Sequence, residues 1–122
     1  MTKEHIVTKI IPKLYEGLEV EELLEREDRG TPPITKCSIV IAYQDKLFEI
    51  CRDFHVIRYE DYQAIGSGSN AILYGLSKID KSKDINEQLL QLLKLSAKHD
   101  ANVSAPFVLI DTKNLQYVIK EN

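Results

Sequence analysis

Between residues 38 and 65 the apolar positions run or alternate as they do in strands. Beyond Gly66-Ser67-Gly68-Ser69 they recur at helical spacing. Side chains alternate faces with period two in a strand and share a face with period 3.6 in a helix, so one element type cannot hold both stretches. Ser38-Ile39-Val40-Ile41-Ala42-Tyr43 is a continuous, β-branched apolar run of the kind that suits a strand buried on both faces. Polar Gln44-Asp45-Lys46 follows, and Leu47–Cys51 resumes the β pattern, which reads as a hairpin. Residues 54–59 alternate as a third strand, and Tyr62-Gln63-Ala64-Ile65 forms a short fourth. After the glycine-serine segment, Ile72, Leu73, Leu76 and Ile79 mark one helix face. Asp84 with Glu87 three residues on resembles a capping box, and Ile85, Leu89, Leu92, Leu93, Ser96 and Ala97 continue the helix behind it. Residues 107–110 and 115–119 read as two strands joined by the turn Asp111-Thr112-Lys113-Asn114. The expected class is α/β in the α+β sense: a mainly antiparallel sheet of about five strands, covered on one face by helices over 70–80 and 84–99.

Upstream, Ile6, Ile10, Leu14 and Leu18 recur every four residues, with Leu23 and Leu24 extending the set, so residues 4–28 read as helical. Pro12 and Gly17 argue for a break near Pro12 or a helix that starts there. The charged stretch 19–26 reads as a solvated helix face. Arg29-Gly30-Thr31-Pro32-Pro33 forces an extended connection. The expected organisation is a helical segment over 1–30 and a domain over 34–122.

Composition narrows the function. A formal charge of −3 supplies no field to attract phosphate, and no basic patch interleaves with the tyrosines, so neither nucleic acid nor an anionic membrane is an expected partner. No apolar run reaches the roughly 20 residues of a membrane span. Met1-Thr2-Lys3-Glu4-His5 lacks a signal-peptide pattern, which points to the cytoplasm and to reduced Cys37 and Cys51, the latter as a small buried hydrophobe. His5, His55 and His99 do not pair at ligand spacing, so no metal or other cofactor is expected. His99-Asp100 fits an oriented acid/base pair, but also, more plainly, a cation at a helix C-terminus. His55 reads as cross-strand packing.

The glycine-serine segment admits two readings from its residues alone. Free amides at the following helix start favour negative charge, as in a phosphate loop. Yet no lysine opens the helix, and the spacing fits no nucleotide fingerprint. The plainer reading is a strand-to-helix turn whose Ser69 caps the helix.

The ordered combination adds more. Ala64-Ile65-Gly66-Ser67-Gly68-Ser69-Asn70-Ala71, then two helices ending in Ala97-Lys98-His99-Asp100, then Val103-Ser104-Ala105-Pro106-Phe107-Val108 and a hairpin, resembles the second half of proteasome β subunits, the bacterial HslV peptidase and their phage and bacterial relatives. The resemblance covers most of 35–119 and, more weakly, 4–28. It implies half of a four-layer αββα sandwich, assembly into oligomers, and a threonine-type peptidase lineage. In that family an N-terminal threonine is nucleophile and, through its amine, base, supported by a lysine and an acidic residue on early strands. No segment before residue 35 reads as those strands. The resemblance maps accessory roles, holding the threonine amine and a water, onto Ser67, Asp100 and Ser104, although the Asp100-to-Ser104 spacing is one residue longer than the family's. Gly66, Ser67, Gly68 and Ser69 correspond to its oxyanion-like turn. Thr2, exposed if Met1 is removed, imitates the nucleophile, but it leads into helical spacing and reads as a polar terminus.

Two functions follow as expectations. The first is a threonine-peptidase relative, catalytically incomplete as this chain, acting as a homo-oligomer or with a complementing half. The second is a non-enzymatic oligomeric interaction module that uses an uncovered sheet face, with Ile39, Ile41, Phe48 and Ile50, or their opposite faces, left without a covering layer.

Overall fold

The computed structural model describes residues 1–25 and 30–121. The fold is mixed α+β, with its strands in small antiparallel sheets. The chain divides into two compact units, residues 1–61 and residues 62–122.

The first unit opens with α1 (Lys3–His5), which continues through a π-helical stretch, Ile6–Ile10, into α2 (Ile11–Val20). Two features widen the turn. The Thr8 hydroxyl donates back to Glu4 O at 2.8 Å, a local bond that loosens a helix. Pro12, in the first turn of α2, has no N–H to return to the ladder. The Ile11 N–H accordingly reaches Ile6 O, five residues back. The expected break near Pro12 is therefore a change of helix type, not an interruption. The helix ends at Val20, short of the expected residue 28, and Glu22 turns the chain with φ 58°. Of the expected helical stretch, residues 26–28 lie outside the described residues, as does Arg29 of the proline connection.

Next come β1 (Leu24–Glu25) and β2 (Ile34–Thr35), a two-rung ladder with no period long enough to read from sequence. Then β3 (Ile39–Tyr43), β4 (Lys46–Ile50) and β5 (Val56–Tyr59) form a sheet in the order β3-β4-β5. The central strand is β4, and it carries the buried Phe48 and Ile50. The more apolar β3 lies at an edge and is half-buried, not enclosed on both faces as its composition suggests. The third strand starts at Val56, because Cys51–Phe54 closes a turn with Phe54 at φ 66°. His55 lies in the loop before β5, where its N–H meets Asp53 Oδ1 at 3.1 Å, so it is not a cross-strand residue.

Ile6, Phe48, Ile50 and Val56 make the buried cluster, with Ile10, Ile11, Leu14, Ile39 and Ile41 packed against it. The face that carries Ile39, Ile41, Phe48 and Ile50 is thus covered by the chain's own N-terminal helix, so it is not the bare one. The helix and these strands belong to the same compact unit, residues 1–61. Arg52 ties β1 to β2: its Nε donates to Thr35 O and its Nη2 to Glu25 Oε2, both at 3.0 Å.

The second unit starts with a loop. Residues 62–65 are not a strand. It continues with α3 (Ser69–Leu76), α4 (Ile85–His99), and the pair β6 (Phe107–Ile110) and β7 (Tyr117–Lys120). Asp84 caps α4 as its chemistry predicts, accepting from Asn86 N and Glu87 N. α3 packs on α4, where a Cβ at Gly75 would overlap Leu92. Instead of one sheet of about five strands, the described strands form three sheets of two, three and two. Among the described residues no helix is long and apolar enough to cross a membrane.

Candidate functional site

The turn before α3 is built by two glycines with different reasons to be glycine. Gly66 has φ 107°, a left-handed conformation that a side chain strains to adopt. Gly68 has ordinary angles, φ −88° and ψ 8°, but no room: a Cβ there would overlap Ser96 Oγ and stand 3.3 Å from Val103 Cγ2 and 3.6 Å from Asp100 Oδ2. This close approach draws the turn onto the C-terminal end of α4. It also overturns the expected cap. Gly68 takes the N-cap position without a side-chain bond, and Ser69 is the first helical residue.

The same approach joins two residues 33 positions apart in sequence. Ser67 and Asp100 line one cleft, with the Ser67 hydroxyl near enough to the Asp100 carboxylate to act on its charge. Asp100 also accepts from the Asn102 N–H at 2.8 Å. The Asn102 N–H first, and the nearby Ser67 hydroxyl second, hold the Asp100 carboxyl below the usual carboxylate range. A cleft of about 540 Å³ opens beside the pair, walled by Ser67, Asn70 and Ile72 on one side and Leu92, Leu95 and Asp100 on the other. His99, the last residue of α4, lines it too. An ionised carboxylate this close to the helix start repels phosphate, which removes the phosphate-loop reading on electrostatic grounds.

The other sequence candidates lie elsewhere. Ser104 is exposed and lines a separate depression with Lys94, Ala97 and Phe107. Thr2 is in the first unit and is a helix cap: its Oγ1 accepts from His5 N, and its carbonyl from Ile6 N, each at 3.1 Å. Met1 is engaged as well, packing on the core and accepting from Lys46 Nζ at 3.2 Å. Cys37 is exposed and Cys51 half-buried, and they are not bonded to each other. Burial first, then the charges of Glu49 and Asp53, push the Cys51 thiol up. Among the described residues no three His, Cys, Asp or Glu side chains converge as a metal set.

Two contributors were not singled out in the sequence. Asn102 holds Asp100 through an Asx turn, and Asp-x-Asn was a visible signal for it. Ser96, only 5% exposed, abuts Gly68, but its helical spacing placed it among the apolar positions. No family model, no curated protein and no solved structure matches this chain.

Proposed function

We propose that this chain is a relative of the proteasome β and HslV threonine peptidases, catalytically incomplete by itself, which acts as an oligomer or with a complementing half that supplies the threonine. The observation that carries the reading is the placement of Ser67 and Asp100 on one cleft, where the Gly66-Ser67-Gly68 turn closes onto the end of α4. These are two of the three positions, Ser67, Asp100 and Ser104, to which the sequence resemblance assigns the holding of a threonine amine and a water. Chemistry supports the same role. A carboxylate held below its usual range is a poor proton acceptor, so it does not activate the Ser67 hydroxyl beside it. What it does well is accept hydrogen bonds from a cation, such as an ammonium. Lys78 gives Ser67 no base: it follows α3 and lies over the Tyr74 ring at 5.6 Å.

The purified chain is expected not to hydrolyse fluorogenic peptides, and an electrophile selective for N-terminal threonine should not label Thr2. Hydrolysis by the chain alone that disappears in Ser67→Ala or Thr2→Ala, with folding intact, would make it a complete enzyme and sink the reading. Addition of a Thr-led chain encoded by a neighbouring reading frame should produce electrophile-sensitive hydrolysis. Asp100→Asn should then lower it roughly a hundredfold, the usual scale for one lost electrostatic partner.

A further inference from the structure

Along the N-terminal helix of the first unit, His5, Lys9 and Lys13 follow one another at four-residue spacing. Together with Ile10 and Leu14 they line a depression of about 670 Å³. The three bases are exposed. Ile10 and Leu14 are half-buried: each packs against the core of Ile6, Phe48, Ile50 and Val56 and also lines the depression. No carboxylate lines it. Among the described residues, none of the three bases takes part in an ion pair. The stability of the helix itself does not explain this row. Like charges four residues apart on a helix, here Lys9 and Lys13, repel each other. The lysines Lys3, Lys9 and Lys13 also precede Glu16 and Glu19, the reverse of the order that the helix dipole favours.

We propose that this depression docks an acidic peptide segment of another protein, one in which carboxylates alternate with apolar side chains. The inference is independent of the peptidase reading and concerns the first unit alone. Charge selects an anion: bases in a row, with no carboxylate among the lining residues, meet an incoming group with one sign. Spacing selects a peptide. At about 1.5 Å of rise per residue, successive bases stand roughly 6 Å apart along the helix axis. Alternate residues of an extended chain stand about 6.6 Å apart on one side, with the residues between them on the other. An extended acidic segment lying along the row therefore sets a carboxylate against each base and turns the intervening side chains onto Ile10 and Leu14. The apolar floor argues against nucleic acid, whose phosphates gain nothing from it. So does the chain's formal charge of −3, which repels a polyanion at long range.

Fluorescence anisotropy of a labelled peptide of alternating glutamate and leucine, titrated with the full chain up to about 1 mM, tests the docking. Saturable binding is expected. Lys9→Glu and Lys13→Glu should each weaken it roughly tenfold, because each turns an attraction into a repulsion. Neither should change the far-ultraviolet dichroism, since both side chains are exposed. A probe with glutamine in place of leucine keeps the charges and loses the apolar contact, so it should bind roughly tenfold more weakly. Lys113→Glu, in the second unit, should leave binding unchanged. No saturable binding, or binding indifferent to both Lys9→Glu and Lys13→Glu, overturns the proposal. Equal binding of the glutamine probe, with displacement by a single-stranded oligonucleotide, marks a site for polyanions and overturns the peptide. A dimer of the chain alone that Lys9→Glu dissolves puts a second copy in the depression and overturns the separate partner.

Discussion

Gly68→Ala separates the steric account of the turn from a merely conformational one. The backbone angles at Gly68, φ −88° and ψ 8°, are open to alanine. Entropy of the unfolded chain alone would therefore make the substitution stabilising by about 0.4–1 kcal/mol. Against this stands the new methyl group, which overlaps the Oγ of buried Ser96 and presses Val103 at 3.3 Å. Overpacking of this kind costs about 1–3 kcal/mol, so the net expectation is a loss of about 1–2 kcal/mol. Two other glycines calibrate it. Gly17 lies inside α2 with nothing within 4 Å of a Cβ, so Gly17→Ala should stabilise by about 1 kcal/mol. Gly66 also has open space, but its φ of 107° makes Gly66→Ala cost about 1–2 kcal/mol through strain. The assay is urea unfolding followed by far-ultraviolet dichroism, with Ser96→Ala completing a double-mutant cycle. Removing Oγ takes away the atom the methyl strikes, so the double variant should be more stable than additivity predicts by about 1 kcal/mol. A Gly68→Ala protein as stable as wild type, or an additive cycle, would refute the close-approach reasoning.

The Asp100 carboxyl titrates below its ordinary value, so the stability it contributes is present above about pH 4 and is lost as pH falls through the folded value. Ser67→Ala should move that titration upward in carboxyl-carbon NMR. It should stop short of the ordinary value, because the larger cause, the Asn102 N–H, remains; no movement would mean that the Ser67 hydroxyl does not act on Asp100 in solution. Phe48→Ala empties the centre of the first unit's core, where Phe48 is 1% exposed, and should cost about 3–5 kcal/mol in urea unfolding. Asp84→Ala removes the acceptor for Asn86 N and Glu87 N and should cost about 0.5–2 kcal/mol together with measurable helicity; a neutral result would deny the cap.

The elements that read correctly are those whose signals are local. Residues 39–43 and 46–50 pair as a hairpin because alternation and a polar turn lie within one short window. Residues 85–99 form a helix because Asp84, the apolar stripe and the terminal Lys98 and His99 all agree. The failures share a long-range cause. β1 and β2 have two residues each and are tied by Arg52, 17 positions beyond Thr35, which no local pattern reveals. The strand-like 62–65 has no partner strand and remains a loop. The sheet face that carries Ile39, Ile41, Phe48 and Ile50 is covered by a helix whose apolar stripe was visible but whose docking partner was not. The site divides the same way. Ser67 and Asp100 were picked out by resemblance to a family, whereas Ser96, which makes Gly68 obligatory, shows only in three dimensions.

The two units differ in how much they enclose, and this bears on where the chemistry sits. Ile6, Phe48, Ile50, Val56 and Thr35 in the first unit are all at most 2% exposed. In the second, Phe107 and Ser96 are the buried side chains among the described residues. A segment of about 60 residues is marginal even with a full core, and a two-stranded ladder in water more so. Yet this second unit carries the obligatory glycine turn, the ionised Asp100, the open cleft and the bare hairpin face. A fold with so little enclosed surface gains in proportion when something binds its folded form: a partner present at a hundred times its dissociation constant adds about 2.7 kcal/mol. If a second copy or a complementing chain is that partner, as the proposed function expects, the melting temperature should rise with the concentration of the chain that binds. A melting temperature independent of either concentration would mean that the second unit is held by its own contacts, and that its folding is not coupled to assembly.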